Sequence, residues 1–341
     1  MQSNGVRITL VTETFFPAVD GTTTTVKAVV DRLVDTGHDV QIVAPGPGLT
    51  TYRGCPVVRI RPLDKPGGQV RDALAAFRPD LVHVTSPATV GRKALKHAHR
   101  FGIATLVVEQ SPTLPDAAAD RVLVTSRWML GREAQLWAPG VDTAAFTPAL
   151  RDTWLHDRWS RARSMSTPLV VVGYVGSLRN RHDVRRLVEL AQVQGIRPVI
   201  VGDGPQRSWL ESRLPDAKFT GTLSTGDLTA VLPSFDVLVH PGERETCCHA
   251  LREAGASGVP VVAPRSGGAP DVVRHLETGL LYDEAHRHGL RDAVHALAAD
   301  RSRALLGIRA RELATRSWSA AVDELVEYHY RPLVARDATV R

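Results

Sequence analysis

The stretch DVLVHPGERETCCHALREAGASGVPVVAP, residues 236–264, decides the fold class. It is typical of a strand (DVLVH), a loop (PGERE), a helix over TCCHALREAGASG that Gly258 closes, and a second strand (VPVVAP). Both strands are continuous apolar runs without alternation, which is the pattern of parallel strands covered on both faces. A strand, a helix and a parallel strand in succession are the unit from which α/β sheets are built.

The same alternation of strand and helix fills the whole chain, in two series. The first series has the strands RITLVT, DVQIVAP, PVVRI, DLVHV, ATLVV and RVLVTS, and the second has LVVVGYVG, RPVIVG, AKFTG, DVLVH and VPVVAP. Between them lies WAPGVDTAAFTP, residues 137–148, a Gly- and Pro-containing segment where we place the domain boundary. We therefore predict two doubly wound Rossmann-like domains, 1–148 and 149–317, which face a cleft and bind ligands at the carboxyl ends of their strands.

Composition restricts the function classes. The 341 residues carry a formal net charge of +6, which favours anionic ligands or surfaces. The arginines are spread over many helices and no nucleic-acid-binding module is recognisable, so we expect no nucleic-acid partner. Three cysteines without a CxxC pair are typical of a reducing cytoplasm and argue against structural zinc. Neither a transmembrane run of about 18 apolar residues nor a signal peptide is visible. The sequence thus predicts a cytoplasmic protein.

The segment GRKALKHAHR, residues 91–100, predicts a basic amphipathic helix. Helices of this kind can dock on a membrane surface, where basic side chains meet anionic lipid headgroups. A run of basic residues is more often the solvated face of a helix. Peripheral membrane contact is therefore possible but not favoured by the sequence.

Two carboxylates of the opening stretch are candidates for a binding site. Glu245 lies in the predicted loop, and Glu253 lies about two turns into the predicted helix. Two acids in one cleft can bind two sets of sugar hydroxyls; alternatively, Glu245 is a charge favoured by the helix dipole and Glu253 is a surface carboxylate. Cys247 and Cys248 are best explained as packing residues, because adjacent cysteines cannot easily face one metal ion. We therefore predict no metal site.

Two candidates follow strands of the first series. After RITLVT, a loop leads into a helix that begins near Thr22; Gly21 would let the backbone approach a ligand, and the threonines would cap the helix. A plain turn between strand and helix explains this segment equally well. Glu109 ends the strand ATLVVE and would face the cleft. His83, inside a strand, is more simply a hydrogen-bonded core residue.

Two further candidates follow strands of the second series. Residues 173–187, GYVGSLRNRHDVRRL, place Arg179, Arg181 and His182 after a strand. Arginines at this point can hold a diphosphate through bidentate hydrogen bonds, but a solvated loop is as good an explanation. The glycines of VGDGPQ, residues 201–206, are a weak signal, since Gly and Pro often only turn a strand into a helix.

In this order the motifs resemble those of the GT-B glycosyltransferases, specifically the large retaining family 4, and the resemblance covers nearly the whole chain. The matching segments are ETFFPAVDGTTTTVKAVVDRLVDTGHDVQIVAPG, PGVDTAAF, VGYVGSL, VGDGP, FTGTLSTGDL, the E-x7-E signature in ETCCHALREAGASGVPVV, and SGGAPDVV. SWSAAVDELVEYHYRPL resembles the family's closing helix, so residues 318–341 would return to the first domain. The resemblance implies an α/β protein of the GT-B fold.

The resemblance also implies the activity: a retaining glycosyltransferase of the hexosyltransferase type, which moves a sugar from a nucleotide diphosphate sugar to a hydroxyl acceptor without a metal or other cofactor. Glu245, Glu109 and Gly21 would be its catalytic residues. Glu245 would contact the hydroxyls of the donor sugar and Glu253 those of the ribose. The donor-binding candidates are Glu245, Thr246, Cys247, Cys248, Glu253, Arg179, Arg181, His182, Ser177, Gly176, Gly202 and Gly204.

The sequence departs from the family in three places. The Arg and Lys that hold the diphosphate correspond to Ser177 and His182, so Arg179 and Arg181 would have to compensate. Thr85 stands where the family has a cleft histidine. Only the short segment SPTLPDAAA separates two strands of the first domain, where the family carries a longer acceptor-side region. These departures leave an alternative open, a degenerate GT-B protein that binds a nucleotide or a partner without turnover.

Overall fold

The structure is a computed structural model that describes residues 5–18, 20–111, 118–161 and 167–340, with side chains up to residue 335. Its contacts divide the chain into unit 1, Met1–Gly140 with Trp318–Arg341, and unit 2, Val141–Ser317. The division falls after Gly140, whereas the sequence placed it after residue 148. The short segment SPTLPDAAA lies largely outside the described residues.

Unit 1 is built on one eight-stranded sheet. Its strands are β1 (Arg7–Thr12), β2 (Asp39–Pro45), β3 (Thr51–Tyr52), β4 (Cys55–Ile60), β5 (Leu81–Thr85), β6 (Ala104–Glu109), β7 (Arg121–Val124) and β8 (Ala134–Leu136). The helices between them are α1 (Gly21–Asp35), α2 (Pro66–Phe77) and α3 (Thr89–Phe101). The strand order is β3-β4-β2-β1-β5-β6-β7-β8, and all pairs are parallel except β3 with β4.

Unit 2 is built on one six-stranded parallel sheet. Its elements are α4 (Thr153–Ser160), β9 (Val170–Val175), β10 (Ile196–Val201), α5 (Arg207–Glu211), β11 (Lys218–Gly221), α6 (Thr225–Val231), β12 (Val237–Val239), α7 (His249–Ala256), β13 (Val261–Pro264), β14 (Gly279–Tyr282), α8 (Gly289–Ala299) and α9 (Arg303–Leu313). The strand order is β11-β10-β9-β12-β13-β14. The helix predicted from Asp183 is a 3-10 helix, Val184–Gln192. The α/β prediction is confirmed.

The last segment of the chain packs on unit 1. It consists of α10 (Trp318–Leu325), a π-helical turn (Val326–Tyr330) and α11 (Arg331–Val340). Asp323 accepts two hydrogen bonds from Arg32 of α1, both 2.7 Å long. The hydroxyl of Tyr330 lies 2.6 Å from Nδ1 of His83 in β5. His83 is therefore a hydrogen-bonded core residue, as its position inside a strand indicated, and burial lowers its pKa to about 3.

Both faces of each sheet are covered, which explains the continuous apolar strands. Successive residues of β1 enter different cores: Leu10 packs with α1, whereas Val11 packs with α2 and α3. In unit 2, Val171 and Val172 of β9 likewise enter different cores. A strand whose side chains are apolar on both faces must have helices on both sides, and the carboxyl ends of the strands remain the edge available for ligands.

Asp236, immediately before β12, connects several segments of unit 2 through hydrogen bonds. It accepts hydrogen bonds from the Val171 amide (2.8 Å) and Arg151 (3.0 Å), and Nε2 of His156 lies 3.1 Å from Oδ2. Burial opposes ionisation, but these donors outweigh it and lower the pKa of Asp236. We expect Asp236→Ala to reduce the free energy of unfolding by about 3 kcal/mol, because it leaves buried donors without their acceptor.

Urea denaturation of the Asp236→Ala variant tests this expectation, with Asp157→Ala as the control at an exposed position of α4. A carboxylate whose pKa is lowered by folding stabilises the protein above its unfolded pKa and loses that contribution as the pH falls through its folded pKa. The difference from the wild type should therefore shrink in acid. An equal, small effect of both substitutions at pH 7 would contradict the assigned role of Asp236.

Candidate functional site

The loop between β12 and α7 brings Glu245 to the carboxyl edge of the unit 2 sheet. Oε1 of Glu245 lies 2.7 Å from Nδ1 of His182 and 3.8 Å from Nε2 of His240. His182 belongs to the short 3-10 turn that follows β9, and β9 pairs with β12. Two neighbouring strand ends thus supply the three side chains, and the structure joins two candidates, Glu245 and His182, that are far apart in the sequence.

The surroundings of Glu245 keep its carboxylate ionised. Burial alone would raise its pKa, but His240 and the hydrogen bond with His182 outweigh burial and lower the pKa to about 2. An ionised carboxylate only accepts hydrogen bonds. At neutral pH this position therefore offers acceptors to a ligand that carries hydroxyl groups.

The hydrogen bonds of His182 define its tautomer. Nε of Arg181 donates to Nε2 of His182 at 3.1 Å, so Nε2 carries no proton. The ring proton then sits on Nδ1 and is donated to Glu245. The guanidinium groups of Arg181 and Arg179 supply positive charge to this turn. Both arginines are exposed, and Arg179 makes no side-chain hydrogen bond or ion pair with the described residues.

Glu253 is the second carboxylate of the signature. It lies just over one turn into α7, not two turns, because α7 begins at His249. Its carboxylate has no hydrogen-bond partner among the residues that the structure describes, and burial raises its pKa to about 7. A carboxyl group with a pKa shifted by burial and with free acceptors is typical of a ligand site.

The start of α7 differs from the sequence prediction, which began the helix at Thr246. Cys248, immediately before the helix, has a left-handed backbone with φ of 52°. A residue in that conformation cannot belong to a right-handed helix, so Thr246 and Cys247 lie in the loop. Both cysteines are buried, and Cys248 packs into a core of unit 2, in agreement with their assignment as packing residues. A role of the loop amides in ligand binding stays a prediction.

The loops after β9 and β10 approach each other closely at three glycines predicted at the site: Gly176, Gly202 and Gly204. Gly202 has φ of 131°, and a Cβ there would lie 1.9 Å from the Gly176 carbonyl oxygen. Gly204 has φ of 154°, and a Cβ there would lie 2.7 Å from the Leu178 carbonyl oxygen. Backbone packing thus explains both residues without a ligand. Ser177, between these contacts, accepts a hydrogen bond from the Tyr174 hydroxyl through its carbonyl oxygen.

The loop after β13 supports the Glu245 loop from the other side. The Gly268 amide donates to the Glu245 carbonyl oxygen at 2.8 Å. A Cβ on Gly267, where φ is 59°, would lie 2.5 Å from the Glu243 carbonyl oxygen. Neither this support nor the position of His240 at the site was predicted from the sequence. The available signal was the histidine that ends DVLVH, a polar residue at the carboxyl end of an apolar strand.

Gly21 and Glu109 belong to unit 1, whereas the other site candidates belong to unit 2. Gly21 is the exposed first residue of α1, and Asp20, not a threonine, caps the helix by accepting from the Thr23 amide at 2.8 Å. The prediction of threonine caps was wrong, because the Thr24 hydroxyl donates backwards to the Asp20 carbonyl oxygen. The proposed approach of the Gly21 backbone to a ligand stays a prediction.

Glu109 ends β6 and is almost completely buried at 1% exposure. Its carboxylate accepts a hydrogen bond from the Ser111 amide, and burial raises its pKa. Thr85 ends the neighbouring strand β5 and donates to the Val11 carbonyl oxygen at 3.3 Å. The two residues therefore lie at one edge of the unit 1 sheet. The catalytic role of Glu109 stays a prediction.

Neither a metal-binding cluster nor a membrane-spanning helix occurs among the described residues. No group of three or more His, Cys, Asp or Glu side chains in residues 5–18, 20–111, 118–161 and 167–340 is arranged to hold a metal ion. In the same ranges, none of the helices combines the length and the apolarity that crossing a bilayer requires.

Comparison with known proteins decides the family. Residues 20–146 match the model of the Glycosyl transferase 4-like domain, and residues 170–300 match that of Glycosyl transferases group 1. The GDP-mannose-dependent alpha-mannosyltransferase of Mycobacterium tuberculosis (strain CDC 1551 / Oshkosh) is 36% identical over 98% of this chain and 99% of its own. The chain belongs to the GT4-type glycosyltransferases. The resemblance found in its motifs is thereby confirmed.

Further relatives support the same assignment. This glycosyltransferase is 35% identical to the GDP-mannose-dependent alpha-mannosyltransferase of Mycolicibacterium smegmatis, over 97% of this chain and 98% of the relative. Among solved structures, sucrose-phosphate synthase from Thermosynechococcus elongatus superposes with a TM-score of 0.82 at 21% identity, covering 97% and 100% of the two chains. The predicted GT-B fold is therefore confirmed.

Proposed function

We propose that this glycosyltransferase moves mannose from GDP-mannose to a hydroxyl group of an acceptor, with retention of the anomeric configuration and without a metal ion. The choice of donor rests on the two mycobacterial relatives, which are GDP-mannose-dependent alpha-mannosyltransferases. GDP-mannose carries its sugar in α linkage, so an α-linked product keeps the configuration. The structural observation that supports this donor site is the ionised carboxylate of Glu245, which is hydrogen-bonded to His182. Glu245 lies in the loop that leads into α7, the helix that contains Glu253.

Glu245 binds the mannose in this proposal. Oε1 of Glu245 accepts a hydrogen bond from His182, and in this proposal the ionised carboxylate also accepts hydrogen bonds from sugar hydroxyls. Because its pKa is about 2, the carboxylate is ionised and accepts hydrogen bonds at neutral pH. Its charge also stabilises positive charge that develops on the sugar ring as the bond to the diphosphate breaks.

Glu253 binds the ribose in this proposal. An ionised carboxylate accepts hydrogen bonds from both hydroxyls of a ribose, whereas the protonated form has lost one acceptor position. Because burial raises the pKa of Glu253 to about 7, the ionised form becomes dominant above that pH. Nucleotide affinity should therefore rise as the pH increases from 6 to 8.

The diphosphate leaving group needs compensation of its negative charge. Arg179 and Arg181 follow β9 at the carboxyl edge of the sheet, where both guanidinium groups are exposed to a ligand. Backbone amides of Thr246 to Cys248 would supply further donors from the loop before α7. Fixed cations and amide donors of this kind stabilise a departing phosphate without a metal ion.

The test is a transfer assay with the full chain. We would incubate GDP-mannose with a panel of alkyl mannosides and lipid-linked glycans, with and without EDTA, and measure GDP release and the anomeric configuration of the product by NMR. The proposal predicts GDP release that depends on an acceptor, an α-mannoside product and no effect of EDTA. Activity only with added Mg²⁺ or Mn²⁺, a β-linked product, or binding of GDP-mannose without turnover on any acceptor would contradict it.

A further inference from the structure

Unit 2 contains a cavity of about 110 Å³ between α7 and α9. Every residue that lines it belongs to unit 2. Its apolar walls are formed by Leu251 and Gly255 of α7, Val261 of β13, and Ala310 and Leu313 of α9. Because a cavity of about 150 Å³ holds benzene, this one has room for a molecule of about five non-hydrogen atoms.

The polar side of the cavity is positively charged. Its charged side chains are Arg252, Arg316 and Asp271, so two arginines and one aspartate leave one formal positive charge. Nε of Arg252 donates to the Cys247 carbonyl oxygen at 3.1 Å. Its Nη1 and Nη2 atoms have no hydrogen-bond partner among the described residues, and burial lowers the pKa of this guanidinium. A desolvated cation with free donors is an arrangement that an anion would stabilise.

The cavity and the proposed ribose ligand Glu253 lie on different faces of α7. Successive residues of an α-helix are separated by about 100° around its axis, so Leu251 and Gly255 share one face of α7. Glu253 is two positions from each of them and therefore points to the opposite face. In agreement with this, Glu253 does not line the cavity. The cavity is thus separate from the candidate donor site.

We propose that this space, which we call the Arg252 cavity, binds a short-chain carboxylate such as propionate. The two carboxylate oxygens accept hydrogen bonds from Nη1 and Nη2 of Arg252, in the bidentate geometry that a guanidinium group favours. The alkyl group contacts the apolar walls at Leu251 and Leu313. A monoanion matches the single net positive charge, whereas Asp271 opposes the second negative charge of inorganic phosphate at neutral pH.

The guanidinium of Arg252 also connects the cavity to the loop before α7. Cys247, whose carbonyl oxygen accepts from Nε, directly precedes Cys248 with its left-handed backbone. A carboxylate on Nη1 and Nη2 would fix the guanidinium and, through Nε, this carbonyl group. Occupancy of the Arg252 cavity would therefore be felt by the loop, although carboxylate binding itself does not depend on the proposed donor or reaction.

The test is saturation-transfer NMR of propionate with the full chain, with inorganic phosphate and benzoate as competitors. The charge variant is Arg252→Leu. The volume variant is Gly255→Ala, where the added Cβ meets only Ala310, at 3.8 Å, and otherwise enters open space, while alanine favours the helix. The matched control Arg309→Leu removes an exposed arginine of α9 that pairs with Glu277 at 2.9 Å. Circular dichroism and melting temperatures would verify that all variants are folded.

We expect propionate to bind with a dissociation constant of about 1 mM, an affinity within reach of so small a ligand. Arg252→Leu should weaken binding at least about tenfold, because charged donors are lost. Gly255→Ala should weaken it roughly fivefold by reducing the volume, and Arg309→Leu should stay near the wild type. No propionate signal, equal losses in Arg252→Leu and Arg309→Leu, or unchanged binding in Gly255→Ala would overturn the proposal. So would displacement of propionate by phosphate or by the larger benzoate.

Discussion

Glu245→Gln is expected to lower kcat by about 10²- to 10³-fold, the range found when a single preorganised electrostatic group is removed from an active site. The amide oxygen of Gln keeps the hydrogen bond from Nδ1 of His182. The amide nitrogen then stands where the second carboxylate oxygen was, and it donates where the sugar hydroxyl also donates. The negative charge next to the sugar is lost at the same time, while the shape of the side chain is kept.

Steady-state kinetics with GDP-mannose checks the Glu245 prediction, and the melting temperature should stay close to that of the wild type. The control is Glu243→Gln, two residues earlier in the same loop, where the carboxylate pairs with Arg186 at 3.4 Å. It should retain activity within a few-fold. Similar losses in both variants would indicate that the loop merely tolerates no neutral residue, and full activity of Glu245→Gln would contradict its placement at the sugar.

Gly202→Ala is expected to reduce the free energy of unfolding by more than about 4 kcal/mol. Single substitutions have effects of this size only where they create a severe local conflict, here a steric one. The added Cβ would lie 1.9 Å from the Gly176 carbonyl oxygen, which is backbone and cannot rotate away. The φ of 131° is also unfavourable for any L side chain. The loops after β9 and β10 would have to separate, and the turn that carries His182 follows one of them.

Urea denaturation checks the Gly202 prediction against Gly195→Ala. Gly195 also has a positive φ, 77°, but a Cβ there has open space around it. Its replacement costs only the left-handed backbone conformation, about 1–2 kcal/mol. Equal destabilisation by the two substitutions would show that the close contact between residues 202 and 176 does not govern the stability of this loop pair.

Much of the fold could be predicted because the central strands of both sheets are continuous apolar runs between turn signals. The pattern marks parallel strands such as β1, β5 and β9, since both of their faces are buried. Short edge elements carry less signal. The strands β3, β8 and β14 have only two, three and four residues, and none of them was predicted from the sequence.

The candidate site was only partly predictable, because its geometry depends on contacts between separate loops. The signature located Glu245 and Glu253, but the left-handed backbone at Cys248, which sets the true start of α7, is a tertiary feature without a sequence signal. Likewise, the orientation of the His182 ring follows from its two hydrogen bonds, one within the turn and one to another loop. The residue types indicated the chemistry of the site, whereas the role of each residue depends on how the loops pack against one another.

The most direct test of the donor site is a thermal-shift titration with GDP, UDP and ADP in EDTA, at pH 6 and pH 8, on the wild type and Glu253→Ala. A ligand at about 100 times its dissociation constant adds about 2.7 kcal/mol to the free energy of unfolding, which is a readily visible shift. We predict a shift with GDP that is larger at pH 8 than at pH 6 and is lost in Glu253→Ala, because the ionised carboxylate binds the ribose. No shift with any nucleotide, or an unchanged GDP shift in Glu253→Ala, would contradict the assignment of this site.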